Sequence, residues 1–470
     1  MSFIHGLKWS FFSELASKAI QPVVVIVLAR LLTPEDYGVM TSAMMVIAFS
    51  QIFWDAGMGK ALIQRQTDIE EASNAVFLIN IALGIIIAAL LYLFAKPIAQ
   101  TFFHDDRVIA VLQVMTLQVL FGALSSVQNA LLQKEMGFKK LFWVRFATVS
   151  LPGLASIPLA MNGFGYWALV AGTLVGQLAQ VIMLWTLSQW RPTLVVKYEV
   201  AKEIGKFGVW VGLSGLLAWF YMWADSFVVG AYMGSHDLGL YRTGNQIVTY
   251  SYSLLSAPLM PVLYSWMVSR KIEEIRAALM NVVSFLSLIF MPIAIFIFMQ
   301  ADFVSNFVFG KNWLGISLVI AVMALSHGLS SVLVANSEAY RASGVPQYET
   351  YPMLIGLLIF VPVYIYSAQR GLEYFLYSRL FVVVGFGYIL HSFLARKKLR
   401  VPNLFYIKYL VLFVLFITLS VLVKNSANKD YYWLTSILLP CLLFAILAFF
   451  NRREFKAMYE KYYNKNGISI

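Results

Sequence analysis

Asn74-Ala-Val-Phe-Leu-Ile-Asn-Ile-Ala-Leu-Gly-Ile-Ile-Ile-Ala-Ala-Leu-Leu-Tyr-Leu-Phe-Ala95 runs for 22 residues without one charged side chain. A helix of about 20 apolar residues spans the hydrocarbon core of a bilayer. Blocks of this kind recur along all 470 residues, near 10–32, 37–57, 74–95, 109–131, 142–160, 165–187, 208–231, 240–265, 278–299, 313–335, 352–368, 372–395, 404–423 and 432–450. The chain is 60% hydrophobic and only 12% charged, too little charge to coat a soluble domain of this length. The blocks are continuous rather than alternating, which excludes the strands of a barrel. The expected fold is therefore an all-α integral membrane protein of about 14 transmembrane helices.

The net charge of +12 sits in short segments between the blocks. With the N-terminus inside, one set of segments holds 25 Lys and Arg and the opposite set 8. That imbalance predicts two cytoplasmic termini in the cytoplasmic membrane. It also accounts for the basic character without a nucleic-acid partner. One cysteine, Cys441, lies inside an apolar block, and the five histidines lack metal-ligand spacing, so neither a disulfide framework nor a metal is expected. No short apolar core followed by a small-residue cleavage site opens the chain, so a removable signal peptide is not expected.

An internal repeat organises the spans. Asp36 and Gly38, after the first, align with Asp237 and Gly239, after the seventh, at an offset of 201; Asn129 and Gly137 align with Asn336 and Gly344 at an offset of 207. We read a duplicated six-helix unit: a bundle over 1–190, a cytoplasmic linker over 191–207, a second bundle over 208–398, two extra helices over 399–451 and a cytoplasmic tail over 452–470. Each unit has an even number of spans, so the two run the same way and are related by a pseudo-twofold axis, an arrangement that puts a transporter's substrate between its halves.

No nucleotide-binding loop, nucleophile elbow or metalloprotease motif is present, and an enzyme is not expected. Gly172/Gly176 and Gly208/Gly212 mark close helix approach. Ionisable residues inside spans are costly and hence candidates for function. Glu14 and Lys18 share a helical face, either as a neutralised pair that permits insertion or with Lys18 facing a cavity. Arg30 and Arg341 lie at span ends, Arg145 begins the fifth span, Arg242 begins the eighth, and Arg379 lies a third of the way into the twelfth. Each either snorkels to head groups or contributes to a cationic cavity suited to pyrophosphate. Asp55, near the end of the second span, is a boundary residue or a pairing group. Asp225, with no base within a turn, and His327 are candidates for coupling to an ion.

Leu28-Ala-Arg-Leu-Leu-Thr-Pro-Glu-Asp-Tyr-Gly38, followed by Phe53-Trp-Asp-Ala-Gly57 and Ala61-Leu-Ile-Gln-Arg65, resembles the Wzx-like polysaccharide flippases of the multidrug/oligosaccharidyl-lipid/polysaccharide exporter superfamily. The resemblance is strongest over 1–190 and runs in register to about 395. It implies alternating access by two bundles and an undecaprenyl-pyrophosphate-linked repeat unit as substrate, for O-antigen, capsule or exopolysaccharide. It further implies no cofactor but coupling to a proton or sodium gradient, and membrane lipids and polysaccharide polymerase machinery as partners. Asp55, Gly57 and Arg65 are carried over as motif positions. The runner-up is an ion-coupled multidrug antiporter of the same superfamily, which fits twelve spans and an acidic cavity better. A peptidoglycan-precursor flippase shares the span number but not the motifs. A membrane polymerase or ligase would carry a large external loop, and a scaffold would explain neither the repeat nor the buried charges.

Overall fold

The computed structural model describes residues 20–55, 57–193, 197–268, 270–426 and 431–452, and these contain helices and connecting turns but no strand. The helices are α1 (Ile20–Leu31), α2 (Pro34–Trp54), α3 (Met58–Gln64), α4 (Ile69–Ile98), α5 (Arg107–Lys134), α6 (Phe138–Met161), α7 (Tyr166–Leu187), α8 (Tyr198–Met267) and α9 (Ile272–Met299). They continue with α10 (Ala301–Val304), α11 (Ile316–Ser330), α12 (Val334–Ala342), α13 (Gln347–Ala368), α14 (Leu372–Leu380), α15 (Tyr388–Leu399), α16 (Asn403–Asn425) and α17 (Tyr432–Phe450).

Twelve described segments are long and apolar enough to cross a membrane, so this is a multi-pass membrane protein. One of them, Glu199–Leu254, has 56 residues, about twice what a bilayer needs, and contains a break at Gly234, where φ is 84°. It supplies two of the spans read from the sequence. The shorter apolar helix α1 is the described part of the first span. Glu14 and Lys18 lie outside the described residues.

The chain packs as two units, one of Met1–Thr243 with Val308–Trp313 and the other of Gly244–Phe307 with Leu314–Ile470. In the first, α4 lies along α5 and α6 along α7. Gly172 and Gly176 let α7 close on α6, since a Cβ at either would meet Pro152 or its neighbours on α6. An apolar cluster that includes Met58, Leu62, Val76, Val127 and Ile204 forms a core at one end of this unit. In the second unit, α9 packs against α11 and α17.

The most distinctive stretch of sequence has a local physical reason. Thr33-Pro-Glu-Asp36 is the N-terminus of α2. The Thr33 hydroxyl accepts from the Asp36 amide (3.3 Å), and the Asp36 carboxylate accepts from the Thr33 amide (2.9 Å), with Pro34 in the first turn. Two residues on, Gly38 abuts the Ser235 carbonyl oxygen, and Gly239 abuts that of Pro34. The two glycines singled out as repeat marks thus sit at one helix crossing inside the first unit. Around it, His236 and Glu35 pair at 2.6 Å, and Ser235 donates to Asp105 at 2.6 Å.

Candidate functional site

At the end of α2 the chain must turn sharply into α3, and Gly57 makes this possible with φ 65°. The short α3 is closed by Lys134 of α5, whose ammonium donates to the carbonyls of Leu62, Ile63 and Arg65. Arg65 itself pairs with Glu203 at 2.9 Å. The Asp-x-Gly and Arg65 motif positions therefore shape one corner of the first unit.

That corner borders a cavity of about 330 Å³ between α2, α3, α5 and α7. Its wall is dominated by uncharged polar groups: Gln51 from α2; Gln118, Ser125, Ser126, Asn129 and Gln133 from α5; and Gln177 and Gln180 from α7. Asp55 and Lys60 are the charged residues lining it, and Trp54 supplies an aromatic face. A hydrogen-bond relay fixes the carboxylate: the Asn80 amide donates to Ser126 Oγ (3.1 Å), which donates to Asp55 (3.3 Å). Gly122 leaves the room that the Trp54 ring fills. Two polar atoms of the wall, Trp54 Nε1 and Gln118 Oε1, are buried without a hydrogen-bond partner. A second cavity of about 420 Å³ shares Asn129, Gln133 and Gln180 with the first and is lined by Arg145 together with Phe138 and Phe142.

The other candidate residues are placed elsewhere. In the first unit, Arg30 is exposed and donates to the Val308 carbonyl (3.1 Å), next to Trp313, whose indole donates to Ala29 and Leu32. Arg242 stacks on the Trp223 ring, 4.2 Å from its centroid. Asp225 accepts from Tyr241 (2.5 Å) and from the Ser226 amide (2.6 Å), so a partner reaches it from beyond the Gly234 break. In the second unit, Arg341 pairs with Glu338 (2.8 Å) and Glu349 (3.2 Å), and Arg379 meets the Met323 sulfur at 3.1 Å. His327 lies 2.9 Å from Asn245 Oδ1 and 3.3 Å from the Thr249 hydroxyl. Of the eight candidates among the described residues, Asp55 and Arg145 line the two adjoining cavities of the first unit.

The amides were the missed residues. Gln118, Gly122, Ser125, Asn129 and Gln133 recur at helical spacing along one face of an otherwise apolar span. A search confined to ionisable groups passes over such a stripe.

The fold and this polar interior define a class: a multi-pass helical membrane protein with a polar cavity among its helices. The sequence matches the family model described as "Polysaccharide biosynthesis protein" over residues 27–318, more than half of the chain. The chain belongs to that family. It is 26% identical over 69% of its length to the succinoglycan biosynthesis transport protein ExoT of Rhizobium meliloti, of which the match spans 66%, just under two thirds. It is 25% identical over 77% of its length to the teichuronic acid biosynthesis protein TuaB of Bacillus subtilis (76% of that protein), and 22% identical over 78% to the lipopolysaccharide biosynthesis protein WzxC of Escherichia coli (75% of that protein). Among solved structures, the fold matches the lipid II flippase MurJ in an inward closed conformation at TM-score 0.75. That match has 14% identity and covers 96% of this chain and 99% of MurJ.

Proposed function

We propose that this chain is a flippase, not an enzyme, that carries an undecaprenyl-pyrophosphate-linked oligosaccharide across the cytoplasmic membrane by alternating access. The observation that carries this reading is an amide-lined cavity inside a bundle of apolar helices, in a member of a polysaccharide biosynthesis family. Sugar hydroxyls and phosphates cannot enter hydrocarbon without losing water, at several kcal/mol for each unpaired group. A polar interior replaces that water while the polyprenyl tail stays among lipids. The relatives' names, which include a probable glycan biosynthesis flippase of Haloferax volcanii, favour this cargo over the drugs of a multidrug antiporter. The 25-to-8 distribution of basic residues supports cytoplasmic termini. An ion gradient supplies the energy, and polymerase machinery on the far side receives the product.

The test is the sidedness of lipid-linked oligosaccharide in cells lacking the protein. Accumulation on the cytoplasmic leaflet while synthesis continues, reversed by re-expression, supports the reading. Repeat units that still reach the outer face, with only drug resistance lost, would replace it with the antiporter.

A further inference from the structure

The polar cavity of the first unit is absent from the second copy of the repeat at the level of sequence. The offset of 201 pairs Gln51 with Tyr252 and Asp55 with Ser256; the offset of 207 pairs Gln118 with Leu325, Ser125 with Val332, Ser126 with Leu333 and Gln133 with Tyr340. In the second unit Tyr252, Leu325, Val332, Leu333 and Tyr340 are buried, and Tyr252 reaches the Ala324 carbonyl (3.0 Å) with its ring against Phe290. Asn129 keeps its counterpart, Asn336. A fold built twice shows what it needs twice, and it needs the asparagine but not the glutamines or serines. Gln118 in the first unit then calls for a ligand, because its Oε1 is buried without a partner and a polar atom so placed destabilises unless it is paired.

The chemistry of the wall says which ligand. An amide presents a donor and an acceptor side by side, which suits adjacent hydroxyls, and a carboxylate held by the Asn80–Ser126 relay accepts from a hydroxyl pair. Trp54 Nε1 and Gln118 Oε1 add an unused donor and an unused acceptor. The volume of about 330 Å³ falls in the range of small-molecule sites, about 300–1,000 Å³. Resting on the lipid-linked reading above, we infer that this cavity binds uncharged sugar residues of the head group and sets the preference for sugar-bearing over sugar-free lipid. Arg145, in the adjoining cavity, is left to the phosphates.

The test uses the purified full chain in nanodiscs and two probes, undecaprenyl pyrophosphate alone and the same lipid carrying a neutral disaccharide. The unsubstituted protein binds the disaccharide lipid about tenfold tighter or more. Gln118→Leu with Ser126→Leu, which copies the second unit, brings the two affinities to within about twofold while sugar-free lipid binds as before. Gln180→Leu, at a half-buried position of α7, reduces the preference by a smaller factor and guards against misfolding of the double variant. Equal affinities in the unsubstituted protein, or an undiminished preference in both variants, overturn the inference and leave lipid transport standing. Failure of the unsubstituted protein to bind either lipid overturns both.

Discussion

Gly38→Ala and Gly239→Ala test the helix crossing in the first unit. Each added methyl would lie far inside the 3.0 Å that real Cβ contacts respect, against main-chain oxygen of Ser235 in one case and Pro34 in the other. Neither obstacle is a side chain that can rotate away, so the backbones must part by about 1 Å, and each substitution costs about 3 kcal/mol, the upper end for overpacking. The same separation relieves both clashes. The double variant should therefore cost about as much as one single, well short of the sum, with a coupling of about 2–3 kcal/mol. Gly205→Ala is the control: nothing lies within 4 Å of its added carbon, so helix propensity alone acts and the change is neutral or stabilising by up to about 1 kcal/mol. The assay is the apparent unfolding midpoint in detergent by intrinsic fluorescence, where each single variant falls by about 5 °C or more. Singles within about 1 °C of the parent, or a double variant equal to the sum, refute the shared crossing.

Trp313→Phe keeps the buried ring but leaves the Ala29 and Leu32 carbonyls at the end of α1 without their donor; it lowers stability by about 1–3 kcal/mol, read by the same midpoint. Asp105, between α4 and α5, is raised by burial, yet hydrogen bonds from Arg107 and Ser235 outweigh that and hold its carboxyl below the ordinary value. A depressed folded value means its stabilisation is complete above pH about 4 and is lost as the pH falls further; Asp105→Asn removes that acid-side loss and costs about 1 kcal/mol at neutral pH. Arg65→Met breaks the pair with Glu203 and shifts stability by no more than about 1 kcal/mol, less at high salt, read by the same midpoint.

What the sequence made legible follows from how strongly each signal is written. Span number and class come from uncharged runs such as 74–95, where no residue carries a charge and nearly all are apolar. Gly38 and Gly239 are read in the sequence as marks of a repeat, but their meeting at one crossing is not legible there, because an offset along the chain carries no distance in space. Asp225 looked isolated for the same reason: Tyr241 lies sixteen residues on, beyond the break at Gly234. Thr33-Pro-Glu-Asp36 was legible as a motif before it was legible as a helix cap.

The amide cavity is not legible in a sequence read by its charges. In a membrane a charge is the loudest polar group, and Arg30, Arg242 and Arg341 stand out for that reason. Their sites in the structure are a carbonyl, an indole face and two carboxylates. A glutamine is quieter, yet eight uncharged polar side chains around one carboxylate are more demanding than a cation at a helix end, which can reach head groups by extending its stem. Gln118 and Gln177 have no such escape from the middle of α5 and α7. Comparison at the offsets read as a repeat adds a criterion other than charge. Where the offset of 207 sets Leu325 opposite Gln118 and Leu333 opposite Ser126, the inference that the polar residues serve the cargo rather than the fold has its support.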